Sequence, residues 1–392
     1  MSSHSAPPKK SAWSWRSQAF RGVVYQILAA AVIAAVAWFL VHNTLVNMRI
    51  RGIQSGFDFL SQSAGFDIGE SLFPYDSAES YWKAFAVGLA NTLRVAVLGI
   101  ILATVLGTLI GVGRFSRNAL VRGLCLTYVE AFRNIPVLLQ LLMWYVVMTQ
   151  LLPSAQEAWQ IGHFFLSKGG VNYPVPVWQT GQLWAAYGLL PGAVLGWAYR
   201  RWAIRRFEAT GQPGSTVIAP LIIVILTSLA GWVLGGAPTE FNYPTRGEFA
   251  IENGAALTPE FLAVLLGLTL YTASFIAEVV RGGIASVPRG QMEAASALGL
   301  SKGQEMRLVM LPQALRVIIP PLTNQYLNLT KNSSLAVAIG YPDVVSIANT
   351  AINQTGRAVE CIAIVMLVYL STSLGTALLM NWYNARSAIK ER

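Results

Sequence analysis

The stretch EAASALGLSKGQEMRLVMLP, residues 293–312, lies between strongly apolar segments, yet it is rich in small residues, interrupted by glycine and amphipathic. It reads as a short cytosolic element held between two membrane helices. Residues 291–298 favour helix, Gly299 can end that helix in a left-handed conformation, and Ser301 can cap a second helix with Gln304 at the capping-box offset. Pro312 is expected to break the second helix before the next apolar run. Ala294, Ala295 and Ala297 let a partner approach closely, and Leu298, Leu300, Met306 and Val309 supply side chains to fill its groove. An ordinary cytosolic loop is the plainer reading of the same residues.

Working outward from it, the 392 residues are 54% hydrophobic and only 12% charged, with a mean hydropathy of +0.50. About a quarter of a soluble domain is charged, so the composition is that of a polytopic membrane protein. The net charge of +10 is spread over short segments between apolar runs and is not gathered on one soluble face, which argues against a nucleic-acid partner. Cys125 and Cys361 are far apart and read as small packing residues; His4, His42 and His163 are scattered, and no metal site is expected.

Eight apolar runs stand out, at about 23–46, 85–113, 135–152, 183–199, 217–235, 261–280, 314–329 and 359–381. The seventh holds Pro320 and Pro321 with Asn324, Gln325 and Asn328, and is expected to be discontinuous. An even number of spans puts both termini on one side. With both termini cytoplasmic, 19 of the 28 lysines and arginines fall on the cytoplasmic side and 7 outside, as the positive-inside rule requires. The runs at 183–199 and 217–235 form a hairpin whose removal leaves every other segment on its own side, so they read as an insertion. The expected divisions are 1–83 (tail, first helix and periplasmic segment), 84–152 (first part of a core), 153–259 (inserted hairpin with periplasmic flanks) and 260–392 (second part, including the loop at 282–312).

No phosphate-binding glycine loop, nucleophile elbow or zinc helix occurs, so any ATP would be hydrolysed by another chain. Glu130 with Arg133, and Glu278 with Arg281, are acid and base at i,i+3 at the inner ends of two spans, placed to pair and to act as structural or inner-gate elements. Arg94 lies roughly 10–15 Å inside its span, where it either snorkels outward or faces a substrate carboxylate. After the proline-containing run come Lys331, Asn332, Ser333 and Ser334; with Asn324 and Arg94 they are the candidate substrate pathway, an outer loop cap being the alternative.

QMEAASALG followed by MLP resembles the EAA loop of binding-protein-dependent ABC importers. Glu293, Ala294, Ala295, Gly299, Leu311 and Pro312 fit its pattern, and Val309 stands where isoleucine is usual. YTASFIAEVVRGGI (271–284), YVEAFRNIP (128–136) and KNSSL (331–335) are similar to the polar amino-acid, HisMQ-type permease subfamily. The extra first helix and inserted hairpin resemble membrane subunits of general L-amino-acid and glutamate/glutamine/aspartate/asparagine permeases, the Q-type subunit above all.

The resemblance implies an all-α, MetI-like type I importer fold: a five-helix core plus one N-terminal helix and the hairpin, about eight transmembrane helices in a bacterial inner membrane. It implies a loop, with Glu293, Ala294, Ala295, Leu298, Gly299, Leu300, Leu311 and Pro312, that docks on a dimeric ATPase subunit. That ATPase would hold ATP and Mg, with no cofactor in this chain. It further implies a second membrane subunit, expected to be a paralogue, a periplasmic amino-acid-binding protein, and transport of L-amino acids by alternating access within membrane lipid. The subfamily often has Asp where this chain has Asn332, so neutral or acidic amino acids are expected over cationic ones. A self-contained secondary transporter or channel is the rival reading.

Overall fold

The computed structural model describes residues 15, 17–50, 52, 55–212 and 214–387. His4, Lys9, Lys10, Arg16, Arg51, Lys390, Arg392 and both termini lie outside the described residues. In chain order the helices are α1 (Gln18–Ile50), α2 (Tyr81–Gly113), α3 (Ala119–Asn134), α4 (Val137–Val146), α5 (Thr180–Thr210), α6 (Ile218–Leu234), α7 (Pro259–Ala285), α8 (Arg289–Ala297), α9 (Lys302–Gln304), α10 (Leu311–Asn332), α11 (Val344–Thr355) and α12 (Ala358–Ser387). Seven of the eight apolar runs fall within one of these helices to within a residue, and the third, 135–152, holds α4 with a π turn after it, at Val147–Leu151.

Four of them, α1, α2, α7 and α12, are long and apolar enough to cross a bilayer alone; counting α3 with α4, and Lys302–Ile339 with α11, as broken spans gives six. The remaining two of the expected eight are the hairpin. There α6 has 17 residues, about 25 Å of helix, and α5 dilutes its apolar half with Gly181, Gly188, Gly192 and Gly196. The third run is half of a broken helix. Ile135 precedes Pro136 and is extended, at φ −97° and ψ 127°, so the chain turns by 104° between α3 and α4. Buried Gln140 repairs the break, its Nε2 donating to Phe132 O and Ile135 O at 2.9 Å each.

The flanks of the hairpin, for which the sequence indicates no secondary structure, carry short strands. β1 (Trp159–Ile161), β2 (Phe164–Ser167) and β3 (Gly170–Tyr173) form an antiparallel meander that β8 (Ala255–Leu257) extends. β4 (Val175–Pro176) pairs with β5 (Phe241–Asn242), and β6 (Thr245–Arg246) with β7 (Ile251–Glu252). Pairing β3 with β8 and β4 with β5 joins the two flanks of the hairpin.

The chain packs as two compact units. One contains the residues up to Asn91 with Pro342–Leu374. Phe59, Phe85, Val344, Ile347, Ala351 and Cys361 are buried in its core, and Arg357 bonds Gly56 O at 3.0 Å and Asp58 Oδ2 at 3.1 Å. The other contains Thr92–Tyr341 and the residues from Gly375 on. Its core joins the later part of α2 to α4, α7 and α10 through Val95, Ala103, Leu141, Leu268, Ile276 and Ile318.

Small residues set the α2–α7 distance. A Cβ at Gly107 would stand 2.7 Å from Ile276 Cβ and 2.8 Å from Ala273 O, and one at Gly111 2.7 Å from Ala277 O. With no apolar driving force between helices in lipid, such backbone approach is what makes the contact favourable. Gly107→Leu is therefore expected to cost about 1–3 kcal/mol by overpacking and to lower the melting temperature of the solubilised protein. Gly123→Leu, which meets nothing within 4 Å, should not. Equal melting temperatures for the two variants would contradict the α2–α7 contact.

Candidate functional site

The loop at 289–312 folds as two helical pieces around one left-handed residue. α8 ends with Leu298 N donating to Ala294 O at 3.1 Å and Gly299 N to Ser296 O at 2.9 Å; Gly299 has φ +77°, and Leu300 N returns to Ala295 O at 3.2 Å. Ser301 caps the second piece: its Oγ accepts Gln304 N–H at 3.4 Å, and Gln304 Oε1 accepts Ser301 N–H at 2.9 Å. A residue the sequence did not single out ties the pieces together. The Glu305 carboxylate, 2% exposed, accepts Ser296 Oγ–H at 2.5 Å and Lys302 Nζ–H at 2.8 Å. Its signal was the Lys302/Glu305 spacing of three.

Two expectations for this loop are corrected. Ala295 is on the buried side of α8 and offers no surface, whereas Glu293, Ala294 and Ala297 are exposed and Leu298 is 82% exposed. Pro312 does not break the helix. Residues Glu305–Met310 widen into a π turn that runs directly into α10, and Pro312, the second residue of α10, follows where the π turn has already displaced the regular backbone ladder. Leu300 is half-buried and Leu311 exposed.

The inner charged groups converge on one carboxylate. Glu278 of α7 takes Arg281 on the same helix, with Nε to Oε1 at 3.0 Å, and Arg114 beyond the end of α2, and Arg133 of α3 approaches it at 3.9 Å. The pair Glu130 with Arg133 does not form. Glu130 is exposed, and the Arg133 side chain crosses instead to the more enclosed Glu278 and lies over the Phe275 ring at 5.3 Å. Arg114 was not singled out from the sequence, where it is one of the cytoplasmic-side arginines; its position just past a span was the available signal.

The pathway residues separate. Asn332 lines a polar cavity of about 250 Å³ with Gln325 and Asn328 of α10 and Tyr271, Thr272 and Phe275 of α7. Gln325, Asn328 and Asn332 follow helical spacing, which the sequence already showed; nothing in it marked the α7 residues. Asn324 is exposed and outside the cavity lining. Lys331 is exposed, Ser333 Oγ donates to Thr330 O at 2.8 Å and Ser334 Oγ to Lys331 O at 2.8 Å, so both hydroxyls are turned onto backbone. Arg94 lies over the Phe261 ring at 4.0 Å, and is not brought to Asn332. The expected discontinuity at Pro320 and Pro321 is absent: α10 runs through both, and the chain leaves α-helix only at Ser333–Ile339, a 3₁₀ segment closed by Gly340 at φ +80°. Among the described residues no group of His, Cys, Asp and Glu is placed to hold a metal ion.

A family model described as binding-protein-dependent transport system inner membrane component matches residues 99–388. The chain is 46% identical over 385 residues to the general L-amino acid transport system permease protein AapQ of Rhizobium johnstonii, covering 97% of this chain and 96% of that one. It is 40% identical over 408 residues to the glutamate/glutamine/aspartate/asparagine transport system permease protein BztB of Rhodobacter capsulatus, covering 95% of each. Among solved structures, that of an amino acid ABC transporter with histidines aligns with a TM-score of 0.46 and 19% identity over 78% of this chain and 95% of that one.

Because Arg114, Arg133 and Arg281 share one acid, Glu278→Gln leaves three guanidiniums facing one another. It is expected to cost about 1–3 kcal/mol, while Glu130→Gln changes stability by less than about 0.5 kcal/mol. Thermal unfolding of the two solubilised variants checks this; a Glu130→Gln loss as large as that of Glu278→Gln would refute the assignment.

Proposed function

The chain belongs to the family of binding-protein-dependent transport system inner membrane components, and on that premise we propose that it is the permease subunit of an ATP-driven importer of L-amino acids, acidic and neutral polar ones included. It is a multi-pass membrane protein and a non-enzymatic component of its transporter. The observation that carries the coupling mechanism is the exposed helix–Gly299–helix loop, continuous through the π turn with α10, the helix that lines the polar cavity.

In this reading both termini are cytoplasmic, and a partner ATPase dimer, holding ATP and Mg, receives Glu293, Ala294, Leu298 and Leu311. A second permease subunit, a paralogue, completes the pathway, and a periplasmic binding protein delivers the amino acid. Nucleotide closure draws the loops together and turns the core outward; hydrolysis lets it return. The substrate passes Asn332, Gln325 and Asn328, whose amides donate and accept hydrogen bonds without bringing charge. Arg94, stacked on Phe261, acts on the substrate only through a different conformation.

Reconstituted with its ATPase and binding protein, the chain should support ATP-dependent amino-acid uptake; ion-coupled uptake by the chain alone would overturn the proposal. Gly299→Val should uncouple hydrolysis from uptake. A Cβ there meets no atom within 4 Å, so its cost of about 1–2 kcal/mol is conformational, the left-handed backbone itself. Normal coupled transport by that variant would remove the loop from the mechanism.

Asn332→Asp adds an acid to a cavity that lacks one and should raise the ratio of cationic to acidic amino acids carried about tenfold, since 1.4 kcal/mol of charge preference is a factor of ten. Competition uptake with lysine and glutamate measures it. An unchanged ratio would take Asn332 out of the substrate path.

A further inference from the structure

The inserted hairpin takes no part in the loop, the charged cluster or the polar cavity, yet it carries the densest run of positive charge among the described residues. Its two helices close backbone to backbone: a Cβ at Gly188 would stand 2.4 Å from Thr227 O, and one at Gly196 3.0 Å from Pro220 O. That leaves Leu190, Val194, Leu221, Ile225 and Leu229 pointing outward, 50–72% exposed. Such faces belong in lipid.

Beyond Gly196, α5 continues to Thr210, about 20 Å of further helix. On this extension Arg200, Arg201, Arg205 and Arg206 are all exposed, with Glu208 the one acid among them. Their positions around the helix axis are about 0°, 100°, 140° and 240°. The charge therefore encircles most of the helix, as suits a helix passing through a layer of headgroups, where a docked protein would meet a single face.

The aromatic residues agree with that placement. Arg201 lies over Trp197 at 4.1 Å and Arg206 over Trp202 at 5.3 Å, Arg206 also donating to Gln212 Oε1 at 3.1 Å. Tryptophan and tyrosine gather at headgroup level, and Tyr199 lies between the two tryptophans in sequence. Stacking holds a guanidinium by its face and leaves N–H groups at its edge to bridge phosphate oxygens. We infer that the extension of α5, through Arg200, Arg201, Arg205 and Arg206, binds anionic phospholipid headgroups and anchors the inserted hairpin in an anionic leaflet. The inference requires a membrane-embedded chain but is independent of which solute is carried.

The test uses the whole purified transporter, delipidated in mild detergent and offered phosphatidylglycerol and phosphatidylcholine in equal amounts, with retained lipid read by native mass spectrometry. Wild type should prefer phosphatidylglycerol, and the preference should fall as salt is added. Arg205→Gln with Arg206→Gln should weaken retention about fivefold per charge removed, whereas Arg205→Lys with Arg206→Lys, which preserves the charge that orients the hairpin, should keep most of it. Equal retention of the two lipids by wild type, indifference to salt, or an unchanged preference in the glutamine pair would each overturn the inference. Should the glutamine pair fail to insert, the wild-type lipid and salt comparisons decide it.

Discussion

Within lipid no water is present to satisfy an open peptide group, so each departure from α-helix in this chain must be met by protein or by an aqueous boundary. The turn at Pro136 is met by Gln140, buried and donating to two carbonyls at the break. The 3₁₀ segment Ser333–Ile339 is met by its own hydroxyls and by Tyr341 N returning to Ala336 O at 3.2 Å. The loop at 289–312 satisfies its ends with a capping box and a left-handed glycine. These breaks are also where the chain becomes polar enough to do more than span.

The same constraint explains what the sequence disclosed. Long apolar runs have one use in a chain of this composition, and each of the eight is mostly helix, the third after the break at Pro136. The capping of Ser301 by Gln304 and the left-handed Gly299 were legible because they are local, set by residues three apart and by the one residue without a Cβ. Proline was misjudged at 312, 320 and 321. Its missing amide ends a regular helix in water, but Pro312 sits where a π turn gives way to α-helix, and at 320 and 321 α10 carries on through both.

Nonlocal pairings were not legible. Glu130 and Arg133 have the spacing of a pair, yet Arg133 finds Glu278, more than a hundred residues away, because packing of α3 on α7 decides which acid is within reach. The strands beside the hairpin are two to four residues long, too short to show a period of two, and β3 and β4 find β8 and β5 only across the whole hairpin. Of the pathway residues, Asn332 meets its cavity, while the α7 lining of that cavity had no sequence mark.

From Lys302 to Asn332 the chain is helical without interruption, through the π turn, for roughly 45 Å. One end is clamped to α8 by Glu305, and the other carries Gln325, Asn328 and Asn332 into the cavity shared with α7. α7 in turn holds Glu278, less than two turns from Phe275, with three arginines around it. A push on the exposed loop thus reaches the cavity along one covalent rod. On the proposed function, the charges around Glu278 hold the neighbouring helix α7 to α3 and to the residue after α2 while the rod moves. In the same reading, the π turn near the driven end is where that rod can adjust, by exchanging its i→i+5 bonds for i→i+4 ones. On the proposed function the loop therefore needs no chemistry of its own: the rod transmits displacement, and the π turn and the Glu278 clamp set how much of it arrives at Asn332.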